Sequence, residues 1–139
     1  MAHAAAMIGQ DRITATPLAM ASVAATVADG RRRSPRLLAD DRSVTGPPLP
    51  SSELAPLRSL MRGVITHGTG ASALAGAAGD VIGKSGTAEF GAGDPPPTHA
   101  WFIAARGDLA VAVLVERGRS GGAVAAPLVA RFLEAYGAG

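Results

Sequence analysis

The chain has 139 residues, 47% of them apolar, which is enough for one small domain with a real core and excludes a disordered tail. Only 4% are aromatic, so the core must be built from Ala, Val, Leu, Ile and Met; alanine buries little area by itself, and a core this thin is easier to explain if further residues cover it. The formal charge is +2, twelve of the thirteen basic residues are Arg and the other is Lys84, and the absence of cysteine excludes disulfides and thiolate metal sites.

The apolar stretch from Met1 to Ile8 lacks a basic flank and is too short for a signal peptide. No run approaches the ~20 apolar residues of a spanning helix, so any membrane anchor is expected outside this sequence. Thr16-Pro17 followed by Met20, Val23, Ala24, Val27 and Ala28 predicts a capped amphipathic helix that Gly30 ends. From Gly30 to Pro50 the chain is rich in Arg, Asp, Ser and Pro and reads as an exposed connection, with short strands at most around Arg36 to Ala39. Arg31-Arg32-Arg33 and Arg36 have no aromatics among them and read as a solvated loop, not a nucleic-acid surface.

A second helix is predicted from Leu57, Leu60, Met61, Val64 and Ile65, with Ser52 as its cap and Gly68 as its stop. After the Gly68-Thr69-Gly70 turn and a small Ala/Gly segment, Val81-Ile82 and Ala88 to Phe90 predict a strand interrupted by glycines. Thr98 to Arg106 and Leu109 to Arg117 predict a hairpin turning at Gly107-Asp108. Leu109 to Val115 is apolar on both faces, which argues for a central position in a covered sheet. Ala123 to Tyr136 predicts a terminal helix with Val124, Leu128, Phe132 and Ala135 on one side. The order is helices, an antiparallel sheet, then a helix, an α/β chain of the α+β type.

Two chemistries compete for Gly83-Lys84-Ser85. Ala78 to Ser85 fits a loosened phosphate-binding loop, but such a loop needs a buried strand before it and a helix after it, and Gly86, Gly91, Gly93 and Pro95 forbid that helix. The other is the penicilloyl-serine type of site, which combines a Lys-Thr-Gly element with Ser-x-x-Lys and Ser-x-Asn, and Lys84-Ser85-Gly86 is the serine form of the first. Among the histidines, His99 beside Trp101 reads as structural, His3 and His67 are isolated, and no spacing makes a metal site. Trp101 and Phe102 point to opposite faces, so at least one is core, and Glu116 reads as a strand-end charge.

Several separate stretches resemble one family in the right order: Ile8-Gly9-Gln10, Thr16 to Ala21, Gly68-Thr69-Gly70, Gly83 to Glu89, His99 to Phe102, Val113 to Glu116 and Ala125-Ala126-Pro127. Together they resemble the C-terminal portion of a class B-like penicillin-binding protein D,D-transpeptidase domain, whose fold is shared with serine β-lactamases. The resemblance implies that Ser85 and Thr87 offer hydroxyls to a substrate or β-lactam carboxylate. It also implies that the Thr87 N–H is an oxyanion-hole donor, that Gly86 leaves room for a peptide along the strand, and that Lys84 supplies charge and donors near the nucleophile. It implies no metal and no organic cofactor.

The same resemblance exposes a gap. Lys84 is the only lysine, position 81 is Val and the sequence contains no Asn, so neither Ser-x-x-Lys nor Ser-x-Asn is present. Residues 1–139 are therefore expected to be the C-terminal portion of the domain, inactive alone, with the missing N-terminal part as partner. The resemblance implies a parent enzyme that cross-links peptidoglycan through stem peptides ending in D-Ala-D-Ala, binds β-lactams, and works on the extracytoplasmic face of the bacterial membrane without nucleic acid. A D,D-carboxypeptidase or β-lactamase-like hydrolase, a non-enzymatic β-lactam sensor and a nucleotide-binding protein are the alternatives.

Overall fold

The computed structural model of the chain describes residues 6, 7, 9, 10 and 13–137; His3, Ile8 and most of the Met1 to Ile8 stretch lie outside the described residues. The first helix, α1 (Pro17–Asp29), forms as the sequence predicts. The Thr16 hydroxyl accepts from the Ala19 N–H at 3.2 Å, Pro17 opens the first turn, and Gly30 closes the helix in the left-handed region at φ 80°. Ala24 and Val27 are buried, while Leu18 and Val23 stay 45% and 46% exposed.

The strand expected around Arg36 to Ala39 lies instead at the arginine triplet. β1 (Arg31–Arg33) pairs antiparallel with β2 (Thr45–Pro48). Gly30 turns the chain directly into β1 and accepts the Leu49 N–H at 2.8 Å, while the Asp41 carboxylate takes the Leu37 and Leu38 N–H groups, each at 3.0 Å, and bends that segment into a turn. The arginine side chains remain exposed, because a hairpin pairs through its main chain.

Helix α2 (Ser51–Thr66) begins at Pro50, so Ser52 lies inside the first turn and makes no capping bond. Arg58 ties α2 to the end of α1, donating from Nε to the Val27 carbonyl at 2.8 Å and from Nη2 to that of Ala28 at 2.5 Å. One short turn, α3 (Ala71–Leu74), leads to β3 (Val81–Glu89), β4 (Thr98–Arg106) and β5 (Leu109–Val115), which form an antiparallel sheet in the order β3-β4-β5. The register sets Ser85 opposite Phe102, Gly86 opposite Trp101 and Phe102 opposite Val113.

Directly opposed residues share a sheet face, so Val81, Phe102, Ala104, Val111 and Val113 line one side and Ile82, Ile103, Ala105, Ala110 and Ala112 the other. The first side packs against Ile65, Leu74, Val129 and Leu133, and the second against Ala24, Val27 and Met61. Phe102 is fully buried and Trp101, on the opposite face, is half-buried. The central strand is thus β4. Leu109 to Val115, expected there, is at the edge of the sheet among the described residues, with all seven positions half-buried.

The C-terminal helix also differs from expectation. A π-helical turn, Gly121–Ala125, precedes α4 (Ala126–Tyr136), and the buried stripe is Ala125, Ala126, Val129 and Leu133, leaving Leu128 and Phe132 42% and 43% exposed. Small residues face the sheet because the turn lies almost on its backbone. A Cβ at Gly121 would overlap the Trp101 carbonyl oxygen and approach that of Gly86 to 2.5 Å.

Candidate active site

Lys84, Ser85, Gly86 and Thr87 sit in the middle of β3, whose far edge has no strand beside it among the described residues. The strand is extended through Glu89 and no helix follows the motif. This geometry rules out the phosphate-loop alternative, which requires backbone N–H groups converging at a helix N-terminus.

Alternation fixes the direction of the groups. In an antiparallel strand a residue's N–H and C=O point the same way and successive residues point oppositely. The Thr87 carbonyl accepts from Gln10 Nε2 at 3.0 Å, and Glu89 donates its N–H to Gln10 Oε1 at 3.2 Å. The main-chain groups of Ser85, Thr87 and Glu89 therefore face the free edge. Lys84, exposed, donates from Nζ to the Ser85 carbonyl at 2.6 Å. Among the described residues the Ser85 and Thr87 carbonyls are partnered, and the N–H groups of these two residues are what the edge offers to an incoming ligand.

Ser85, half-buried, has its Oγ 2.7 Å from Thr69 Oγ1. Beside this pair is a cleft of about 490 Å³ between α2 and β3, lined by Leu60, Gly63, His67, Thr69, Lys84 and Ser85. A cleft of about 430 Å³ near the other end of the sheet has Arg106 in its wall, but that guanidinium is committed to the Leu133 carbonyl at 3.1 Å. The β3 cleft joins a cation, neighbouring hydroxyls and outward N–H groups, a set that recognises a carboxylate or stabilises an oxyanion.

Lys84 does not hydrogen-bond the Ser85 hydroxyl; its ammonium is on the carbonyl, and the Ser85 hydroxyl is on Thr69. The pair is thus not a nucleophile with its base, which needs a direct hydrogen bond between the two side chains. Gly86 is held from both sides, since a Cβ there would meet Trp101 Cβ at 3.2 Å and Gly121 lies against its backbone. The room expected at Gly86 for a peptide is taken on these sides by the protein, and approach remains along the edge.

His99 stacks on Phe90, with ring centroids 4.0 Å apart and planes inclined by 5°, and its Nδ1 accepts the Arg117 N–H at 3.3 Å. This places it in a structural role, as the sequence suggests. His67, expected to be isolated, is 2.8 Å from Thr66 Oγ1 through Nδ1 and borders the cleft. Glu116 is exposed just beyond β5.

Gln10 and Thr69 lie in stretches that carry the resemblance, but the sequence alone assigns them no role at the candidate site, and it does not single out Gly121. The partners are distant in the chain, sixteen residues away for Thr69 and seventy-seven for Gln10.

A family model described as the penicillin binding protein transpeptidase domain matches residues 2–134. The chain is 36% identical over 155 aligned positions to the peptidoglycan D,D-transpeptidase PbpA of Mycobacterium tuberculosis, covering 92% of this chain and 30% of that protein. It is 38% identical over 148 positions to PbpA of Mycolicibacterium smegmatis, covering 87% and 29%. The chain thus spans about 30% of the length of the curated relatives it matches.

Among solved structures, it superimposes on a chain of a peptidoglycan synthase complex that coordinates polymerization and crosslinking, with a TM-score of 0.81, 26% identity and coverage of 94% of this chain and 25% of that one. It also matches a structure of penicillin-binding protein PBP2 in complex with MreC from Helicobacter pylori, with a TM-score of 0.79, 28% identity and coverage of 97% and 27%. The mixed helical and antiparallel-sheet architecture is that of the penicillin-binding transpeptidase fold.

Proposed function

We propose that this chain, which belongs to the penicillin-binding protein transpeptidase family, forms one wall of a serine acyl-transfer site in a peptidoglycan D,D-transpeptidase. The observation that carries the proposal is the outer β3 edge, which has no strand beside it among the described residues and where Lys84, Ser85 and Thr87 gather a cation, hydroxyls and outward N–H groups beside an open cleft. The nucleophile and its base belong to Ser-x-x-Lys and Ser-x-Asn elements outside these 139 residues.

In the assembled site the nucleophilic serine attacks the carbonyl carbon of the penultimate D-Ala of a stem peptide. The C–N bond to the terminal D-Ala breaks, the departing amine takes the proton that the serine gave up to its base, and an ester to the serine remains. An acceptor amine then attacks the ester, forms the new amide and returns the serine. Ser85 and Thr87 hydroxyls hold the terminal carboxylate, Lys84 adds positive charge, and the Thr87 N–H binds the developing oxyanion, a contribution whose loss in related chemistry costs about 10² to 10³ in rate. β-Lactams enter the same site and stop at the acyl-enzyme.

The apolar exposure of α1 supports a covering partner. Leu18 and Val23 face outward, 45% and 46% exposed, and the segment with the nucleophile is the candidate to cover them. Cross-linking of peptidoglycan places the assembled protein outside the cytoplasmic membrane. No helix among the described residues is long and apolar enough to cross a membrane.

The test is incubation with a fluorescent penicillin, of this chain alone and of the longest natural gene product that contains it, followed by intact-mass analysis. The longer protein is expected to gain one penicilloyl group and the isolated chain none. A labelled isolated chain would contradict the assignment of the nucleophile, and no adduct on either would remove the acyl-transfer function.

A further inference from the structure

The Thr69 hydroxyl is 2.7 Å from that of Ser85 across sixteen residues of sequence, and the backbone around it leaves little freedom. The Gly68 N–H is bonded to the Gly63 carbonyl and the Gly70 N–H to that of Val64, both at 2.9 Å. A Cβ at Gly68 would lie 2.8 Å from Val64 Cα, and one at Gly70 would lie 2.9 Å from Phe102 Cζ. One at Gly122 would overlap the Thr69 carbonyl oxygen. Three positions without side chains thus let α2, the sheet and the π-helical turn close around one residue, whose hydroxyl is aimed at the candidate site.

Each hydroxyl has one proton to donate and two lone pairs to accept with. With the cleft empty either can be the donor. When a carboxylate, which only accepts, arrives at Ser85, the serine proton must point to it; the contact with Thr69 then persists only with Thr69 as donor. A donor bonded to Ser85 Oγ also polarises the Ser85 O–H toward the anion.

We infer that Thr69 is a positioning residue for carboxylate recognition, donating to Ser85 so that the Ser85 proton is turned to the carboxylate of a peptide terminus or β-lactam. The inference rests on the proposed function and adds to it a residue that touches substrate only through Ser85. A purely structural Thr69 would stabilise the turn and have no preference among ligands.

The test measures the second-order acylation rate constant of the longest natural gene product containing this chain, with benzylpenicillin and with its methyl ester, in which the carboxylate is masked. Thr69→Val is expected to lower the rate with the free acid about five- to tenfold, the worth of one hydrogen bond, while Thr69→Ser restores it. The ester is expected to react equally with both. Adding Thr69→Val to Ser85→Ala is expected to cost nothing further, because the two act as a unit.

Equal rates for wild type and Thr69→Val with the free acid would overturn the inference, as would an equal loss with acid and ester. Thr69→Ala repeats the comparison if the valine side chain is not accommodated and the protein melts early. A wild-type protein that forms no adduct would instead overturn the acyl-transfer function on which the inference rests.

Discussion

Gly121→Ala and Gly76→Ala make the same chemical change and are expected to shift stability in opposite directions. At Gly76 nothing lies within 4 Å of an added Cβ and the backbone φ is ordinary, so the methyl group mainly restricts the unfolded chain and stabilises by about 0.4–1 kcal/mol. At Gly121 the same methyl group would overlap the Trp101 carbonyl oxygen and come to 2.5 Å from that of Gly86 and 2.9 Å from Gly86 N, where ordinary contact begins at 3.4 Å. These are backbone atoms of paired strands and cannot swing aside, so the turn must lift, and with it the packing of Ala125, Ala126 and Val129. Overpacking of this kind costs about 1–3 kcal/mol, and its upper end, less the unfolded-state gain, leaves about 2 kcal/mol of destabilisation. For a chain between the small and medium size classes that is a fall of about 6–10 °C in Tm, against a rise of a few degrees for Gly76→Ala. Thermal and urea unfolding of the purified variants measure both. A Gly121→Ala protein as stable as wild type, or a Gly76→Ala protein as damaged as Gly121→Ala, would refute the steric reasoning.

Phe102→Ala removes the largest fully buried side chain, at the junction of β4, Gly70 and Gly83, and is expected to cost about 3–5 kcal/mol, read as loss of the cooperative unfolding transition or of soluble protein. Gln10→Ala should change global stability by less than about 1 kcal/mol, since its contacts are exposed. It should nevertheless speed hydrogen exchange at the Glu89 amide selectively, which residue-resolved exchange would show.

The secondary structure was legible where one physical cause dominates. Thr16-Pro17 and Gly30 bound α1 because capping and left-handed backbone are local properties. Strand order among the described residues was not, because apolar residues on both faces report what covers the faces and say nothing of the edges. Leu109 to Val115 is covered by α4 on one side and α1 on the other, and needs no second strand to be apolar. The terminal helix misled for a related reason. Leu128 and Phe132 are the more hydrophobic stripe, but a turn resting on the sheet backbone through Gly121 and Gly122 selects the stripe with the smaller residues, Ala125 and Ala126.

The site divides along the same line. That Ser85 and Thr87 share an edge was legible in the sequence, because an extended strand puts alternate residues on a common edge whatever surrounds it; Lys84 reaches that edge only through its long side chain, with Nζ on the Ser85 carbonyl. Thr69 and Gln10 act on that strand from sixteen and seventy-seven residues away, through a hydroxyl and an amide that are ordinary on any surface. Glycine was the available clue. Gly68 and Gly70 read as a turn, which they are, but glycines at points of near contact also mark where separate elements are pressed together. Here they press on Thr69, so the turn that ends α2 also sets the hydroxyl facing Ser85.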